Sequence, residues 1–165
     1  MNRHIARQLV IQTIYQIEVG QIAKDLAFQN IEIMLADFKE EAIQLINKEL
    51  TDSEVNLPSG LEKEFELDDF YFQLVNGVIE NQEEIDEIIE KNLTGWNFNR
   101  LNKVDRAIIR LATYEMVYEK ATPPPIIINE ALELTKEFSE TGDGKARSFN
   151  NKLLDQIKQS LATAN

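Results

Sequence analysis

The chain has 165 residues, 43% of them hydrophobic, and a formal net charge of −12, so it can form one domain or two small subdomains around a real core. It contains no cysteine and one histidine, which excludes disulfides, thiol catalysis and cysteine-ligated zinc and argues against a histidine metal site. No run of about 18 apolar residues occurs and the N-terminus lacks a signal-peptide pattern, which together predict a cytoplasmic protein without a membrane span.

The negative charge is confined to the middle of the chain. The net charge is +2 over residues 1–24, −15 over 25–91 and +1 over 92–165. A chain this acidic is not expected to bind nucleic acid over its whole surface. A polyanion would have to bind at the two ends of the chain, brought together by folding.

A first helix is predicted over Arg3–Val19. The residues that share its apolar arc at helical spacing are Ile5, Ala6, Leu9, Val10, Thr13 and Ile17. The residues of the opposite arc are His4, Arg7, Gln8, Gln12, Tyr15 and Glu18, with Arg3 at the margin. Because phosphates need cations and unpaired bases need stacking rings and amides, this polar face suits single-stranded RNA. The alternative is an ordinary solvated face with a half-buried tyrosine.

Two long helical patterns fill the middle of the chain. Gly20 is expected to end the first helix as its left-handed terminal residue. Ile22–Leu50 then predicts an acidic amphipathic helix, with a break near Asp37, and Phe65–Leu93 predicts a second long helix.

The turn-rich stretch Thr51–Gly60 separates these patterns and predicts a linker. We therefore expect one domain over residues 1–165, with an N-terminal subdomain of about residues 1–60 and a helical C-terminal subdomain of about residues 61–165. Trp96, in the tight connection after the second long helix, is expected to be a core side chain.

The helix predicted over Asn102–Tyr118 is apolar almost all round, which is typical of a helix inside a bundle. Asn102 and Asp105 have the spacing of a capping box at its start. Three cations share one face at spacings of three and four residues, namely Lys103, Arg106 and Arg110. Such a strip offers cations to a binding partner, or is a solvated edge paired with nearby acids.

Two more helices are predicted near the C-terminus, over Ile126–Phe138 and Lys145–Leu161. The buried stripe of the last helix is predicted to be Phe149, Leu153, Ile157 and Leu161. No strand-like alternation occurs, so the predicted fold class is all-α. No nucleophile elbow, metal-ligand spacing or dinucleotide fingerprint occurs, so no catalytic residue, cofactor or metal is predicted and the chain is not expected to be an enzyme.

Five stretches carry a resemblance to a known family. They are ARQLVIQTIY at 6–15, FQLVNGV at 72–78, NKVDRAIIRLATYEM at 102–116, PPPIIINEALELTK at 123–136 and FNNKLLD at 149–155. In this order they resemble the NusB family of transcription antitermination factors. The resemblance covers residues 3–19 and 67–158.

This resemblance implies two small helical bundles packed across each other and a non-enzymatic role in the transcription complex. Factors of the family pair with the ribosomal protein NusE, and the pair binds the single-stranded boxA element of nascent RNA. The RNA-binding residues are then expected to be Arg3, His4, Arg7, Gln12, Tyr15, Arg147, Phe149 and Asn151. The partner-binding residues are expected to be Lys103, Asp105, Arg106 and Arg110.

Three departures from the family pattern bear on RNA binding. His4 and Ile5 stand where arginine is common, Lys152 stands where glycine is usual, and prolines 124 and 125 replace an aromatic-basic pair. One alternative is therefore a NusB-like protein-interaction or homodimer scaffold whose RNA binding is weakened or lost. A second is a fragment of a ribosomal RNA methyltransferase, a class of enzyme in which NusB-like domains also occur.

Overall fold

The computed structural model describes residues 1–49, 60–95 and 97–164. Its helices are α1 (Arg3–Gly20), α2 (Lys24–Glu49), α3 (Asp69–Glu80), α4 (Gln82–Asn92), α5 (Lys103–Tyr118), α6 (Pro124–Phe138) and α7 (Lys145–Thr163), with 3₁₀ turns at Glu62–Phe65 and Phe98–Arg100. No strand occurs in the described ranges, and the predicted all-α fold is confirmed. The predicted core position of Trp96 and all but the last residue of the predicted linker lie outside the described residues.

The chain forms two compact units, Met1–Phe72 (unit 1) and Gln73–Asn165 (unit 2). The division falls inside α3, whereas the sequence predicted a boundary near residue 60. Each unit has its own buried apolar side chains. The candidate binding residues of α1 belong to unit 1, and those of α5 and α7 belong to unit 2.

A buried tyrosine of α3, Tyr71, packs in the core of unit 1. Tyr71 is fully buried, and its ring meets those of Phe28 and Phe72 edge-on at centroid distances of 6.0 and 5.2 Å. Thr13 Oγ1 donates to the carbonyl of Leu9 at 2.7 Å and lies 2.5 Å from the Tyr71 hydroxyl, so the tyrosine is the donor between them. Burial raises the pKa of Tyr71 to about 12, which keeps this donor protonated.

Two details of unit 1 differ from the predictions. Helix α2 continues without a break through Asp37. Gly20 is the last residue of α1, and it is Gln21 that takes the left-handed conformation, with φ of 51°. The helix therefore ends one residue later than the position of its glycine indicated.

Unit 2 is built around α5, as its sequence predicted. Eleven consecutive residues, Arg106–Met116, are buried, and α5 packs against α4, α6 and α7. A Cβ built on Gly77 of α3 would lie 2.2 Å from the Tyr114 ring, so glycine is required where this helix approaches α5. The two prolines 124 and 125 belong to α6, in the first helical turn, where a missing N–H costs no hydrogen bond.

The single helix predicted over Phe65–Leu93 is wrong. Asn81 leaves the helical conformation, with φ of −112° and ψ of 16°, and separates α3 from α4. Both its backbone N–H and its side-chain Nδ2 donate to the carbonyl of Gly77, at 3.1 and 2.8 Å. Asparagine competes in this way with helix continuation, which explains the break.

Candidate nucleic-acid interface and partner surface

The N-terminus of α1 is fixed by Asn2. Its side-chain oxygen accepts from the backbone N–H groups of His4 and Ile5 at 2.8 and 3.4 Å, a standard helix cap. The backbone N–H of Asn2 in turn donates to Glu64 at 3.2 Å. This start places Arg3 in the first turn of the helix, on the outside of unit 1.

Both arginines of α1 lie over one aromatic ring of unit 1. The guanidinium carbons of Arg3 and Arg7 are 4.4 and 5.3 Å from the centroid of Phe70. A planar guanidinium on an aromatic face is a cation–π contact, and it holds the arginine stem against apolar surface. Arg3 remains exposed, but Arg7 is only 4% exposed.

The predicted polar arc of α1 is therefore displaced. Arg7 was expected on the solvent side and is buried, whereas Ile5 was expected in the core and is 39% exposed. Ile11 and Ile14, outside the predicted apolar arc, are buried. Arg7 packs against the Phe70 ring and so belongs to the buried face of α1. The solvent-facing arc of the helix includes Ile5 instead.

The remaining predicted RNA contacts of α1 are accessible on that arc. His4, Tyr15 and Gln12 project within an arc of about 80° on the helix surface, so they share one face. His4 and Gln12 are half-buried, and Tyr15 is 37% exposed. This face thus carries an imidazole, an amide and an aromatic ring, whereas the cation of Arg3 lies on another side of α1, over the Phe70 ring.

In unit 2, the predicted contacts lie in the first two turns of α7. Glu140 caps this helix, because its two carboxylate oxygens accept from the backbone N–H groups of Gly144 and Arg147 at 2.7 and 3.2 Å. The Arg147 Nε lies 3.7 Å from the same carboxylate, and its side chain is 48% exposed. The cation is therefore shared between Glu140 and solvent.

Arg147 and Asn151 line one open, polar cavity of about 610 Å³ between α6 and α7. The other lining residues are Asn129, Leu132, Glu133, Gly144 and Ser148. Phe149 instead lines a smaller cavity of about 130 Å³ on another side of α7, together with Lys152. The three predicted contacts of α7 are therefore neighbours in sequence that face two different cavities.

The predicted partner-binding strip of α5 is only partly at the surface. Lys103 is exposed and Asp105 half-buried, but Arg106 and Arg110 are 8% and 4% exposed. Arg110 forms a bidentate ion pair with Asp86, with Nε and one terminal nitrogen at 2.8 and 2.9 Å from its two oxygens. The two arginines of the strip are therefore not solvated, contrary to the predicted alternative of a solvated edge. The second part of that alternative, pairing with a nearby acid, holds for Arg110.

The ring of Phe98 lies against both buried arginines. Their guanidinium carbons are 5.3 Å (Arg106) and 5.2 Å (Arg110) from its centroid. Burial of a guanidinium is tolerated where a carboxylate and an aromatic face replace water. These two residues hold α5 inside unit 2, and Lys103 and Asp105 remain as its accessible charges.

The model of the NusB family matches residues 4–159. The chain belongs to the NusB family. Transcription antitermination protein NusB of Geobacillus kaustophilus is 38% identical over 161 residues, which are 98% of each chain. NusB of T. maritima has a similar structure, with 25% identity, a TM-score of 0.66 and coverage of 96% of this chain and 92% of that one. The predicted family, a transcription antitermination factor family, is confirmed.

The fold is also that of a NusB in a larger assembly. A crystal structure of the antitermination factors NusB and NusE in complex with dsRNA matches with a TM-score of 0.64 and 23% identity, over 97% of this chain and 99% of that one. In the described ranges, no three metal-ligating side chains cluster, and no helix is long and apolar enough to cross a membrane.

Sequence reasoning missed one buried polar residue of α7, Asn150. Asn150 of α7 is fully buried, whereas Phe149 and Leu161 of the predicted stripe are only half-buried. The fully buried face of α7 consists of Asn150, Leu153, Leu154 and Ile157. This i, i+3, i+4, i+7 spacing was visible in the sequence, but a polar first member hid it.

Asn150 contacts the candidate partner surface. Its Nδ2 donates to Asp105 Oδ1 at 3.2 Å and to Thr135 Oγ1 at 3.0 Å, which links α7 to α5 and α6. Asn102 caps α5 as predicted, accepting from the N–H of Val104 at 2.9 Å. The structure records the Asp105 carboxylate in a bond to Asn150, not in the reciprocal bond of a capping box, for which the longer glutamate is preferred.

Proposed function

We propose that this chain is a cytoplasmic antitermination factor that binds single-stranded, boxA-type RNA together with NusE, and thereby supports processive transcription and ribosomal RNA synthesis. The observation that carries the proposal is the 38% identity, over nearly the whole of both chains, to a protein named transcription antitermination protein NusB. A relative with the same fold occurs in a complex of NusB, NusE and dsRNA, which supports NusE and RNA as the classes of binding partner.

The proposed RNA contacts of unit 1 are divided by their accessibility. Arg3 neutralises a phosphate, Tyr15 stacks on a base, and His4 and Gln12 bond to base or sugar edges. Arg7 stays in the proposal as the residue that holds the Phe70 ring beneath Arg3, since its own guanidinium is buried.

The proposed contacts of unit 2 use the polar cavity of α7. Arg147 supplies a cation that Glu140 only partly neutralises, and Asn151 supplies an amide at the same cavity. Phe149 is half-buried and lines the smaller cavity. With so few accessible cations, RNA binding by this protein alone is weak, and each phosphate contact contributes about 0.7 to the slope of log K against log salt.

Arg3→Ala is expected to weaken binding of a boxA RNA, with NusE present, about three- to tenfold. The loss of one phosphate contact also lowers the slope of log K against log salt by about 0.7. The measurement is an RNA titration at two or more salt concentrations. Lys120→Ala, which removes an exposed cation of unit 2 outside the proposed contacts, is the matched control and leaves both quantities unchanged. An Arg3→Ala protein with wild-type affinity and slope would exclude the α1 site.

Arg7→Ala is expected to act on stability rather than on the salt slope. It removes a buried arginine stem and a guanidinium over Phe70, which lowers the free energy of unfolding by about 1–2 kcal/mol. Urea denaturation measures this loss, and Arg3→Ala, from the exposed end of the same ring, costs less. A fully stable Arg7→Ala protein with a reduced salt slope would instead identify Arg7 as a phosphate contact.

NusE is proposed to dock on unit 2 at the start of α5. Lys103 and Asp105 are the accessible charges at the start of α5. The buried Arg106 and Arg110 hold α5 in place within unit 2. Asp105→Lys is expected to weaken NusE binding at least about tenfold by charge reversal. Isothermal titration with folded variants measures it, with Glu119→Lys at the opposite end of α5 as the control.

The second candidate function is a protein-interaction or homodimer scaffold. The observation that favours it is a pair of strongly exposed apolar side chains on α2, Ile33 and Leu45, which are 61% and 65% exposed. The same RNA titration separates the two functions, because a scaffold shows no salt-dependent RNA binding with NusE present. Sedimentation of the protein alone then tests for a dimer.

A further inference from the structure

The buried amide of Asn150 has two neighbours that both require a hydrogen-bond donor. Thr135 Oγ1 donates to the carbonyl of Ala131 at 2.8 Å, so its remaining role toward Asn150 is to accept. The carboxylate of Asp105 accepts only. The side chain at position 150 must therefore donate twice, to acceptors on two different helices, and a terminal amide with two N–H groups meets this requirement.

The other end of the same amide is unsatisfied. Asn150 is 0% exposed, and its Oδ1 has no hydrogen-bond partner among the described residues. A buried carbonyl oxygen without a donor is unfavourable, and an apolar side chain of similar size would avoid that cost. Packing alone therefore does not explain an asparagine at position 150. What the side chain adds is the pair of hydrogen bonds donated by its Nδ2.

The bond to Asp105 acts at the surface proposed for the partner. Asp105 lies in the first turn of α5, where the helix dipole favours a negative charge. Its recorded hydrogen bond engages Oδ1, and the half-buried side chain keeps part of its surface in solvent. A carboxylate held at one oxygen has a fixed plane, so its second oxygen meets an incoming donor without reorganisation.

We infer that Asn150 is the positioning residue of the NusE-binding surface, holding the Asp105 carboxylate so that its second oxygen accepts from a cationic side chain of NusE. This inference rests on the proposed function. It assigns Asp105 to the direct contact and Asn150 to its orientation. The Thr135–Ala131 bond completes the support, because it fixes the acceptor that holds the other hydrogen of the amide.

The test is a double-mutant cycle on NusE binding by the full chain. Asp105→Asn and Asn150→Leu are each expected to raise the Kd about tenfold, and the double variant to raise it no further than Asp105→Asn alone. A merely structural role of Asn150 would not make its effect depend on the residue at position 105. Thr113→Val is the matched control, since it removes another fully buried polar group whose oxygen has no recorded partner, from α5, the helix that carries Asp105, and leaves the Kd unchanged.

Thr135→Val keeps the inference testable if Asn150→Leu does not fold. This substitution lies in α6, not in α5, and removes the second acceptor of the Asn150 amide. It is expected to raise the Kd for NusE about two- to threefold. Wild-type affinity in folded Asn150→Leu, or in Thr135→Val if Asn150→Leu is unfolded, overturns the inference, as does full additivity of the two substitutions. In those cases a weakened Asp105→Asn still supports the docking surface, whereas a wild-type protein that does not bind NusE at all rejects the proposed function itself.

Discussion

Arg110→Ala is expected to lower the free energy of unfolding by about 3 kcal/mol. The substitution removes a 4%-exposed guanidinium and leaves the Asp86 carboxylate, 23% exposed, without its bidentate partner. Loss of one member of such a pair costs more than the pair contributes, because the remaining charge stays desolvated. The ring of Phe98 loses one of its two guanidinium contacts in the same step. Chemical denaturation monitored by circular dichroism measures the change.

Arg147→Ala is the matched control for this expectation. It also removes an arginine beside a carboxylate, but the side chain is 48% exposed and the ion pair spans 3.7 Å. Surface pairs of this kind contribute at most about 1 kcal/mol. The double variant Arg110→Met with Asp86→Leu should recover most of the stability, because neither charge is then left alone. A loss below about 0.5 kcal/mol in Arg110→Ala would contradict the role of the pair in unit 2.

Ile108→Ala is expected to cost about 2–5 kcal/mol. Ile108 is fully buried in the middle of α5, and three other helices of unit 2 pack around that helix. Removal of its side chain deletes apolar contacts and leaves a cavity that a helix held from several sides closes poorly.

Ile126→Ala provides the comparison for that cavity. Ile126 lies in the first turn of α6 and is 50% exposed, so the same chemical change should cost well under half as much. Thermal unfolding of the two variants side by side gives the ratio. Equal losses at the two positions would mean that α5 is not the centre of unit 2.

The helices were predictable where the pattern of apolar residues is unambiguous. α5 was predicted to within one residue of its start, because its all-round apolarity and the capping Asn102 agree. The break at Asn81 was not, because apolar spacing continues across it and only a competing side-chain hydrogen bond decides the geometry. Local chemistry of this kind is invisible to an analysis of periodicity.

The candidate site was predictable in composition and less so in accessibility. Arg3, Tyr15, Arg147 and Asn151 are exposed as their proposed roles require. Arg7 and Arg110 are not, because each finds an aromatic face, and Arg110 also a carboxylate, from a distant part of its unit. Asn150 was missed for the same reason: its two acceptors belong to other helices and cannot be identified from its neighbours in the chain.

The contact between Gly77 and Tyr114 limits which sequences this unit can accept. A methyl group at position 77 would overlap the phenol ring at 2.2 Å, so a larger residue there is compatible only with a smaller one at position 114. If Tyr114 is first replaced by a smaller residue, the intermediate protein contains a cavity at this contact and no steric clash. Gly77→Ala is therefore expected to be tolerated as the second of two substitutions and not as the first, which makes the order in which these positions diverge a property of the fold.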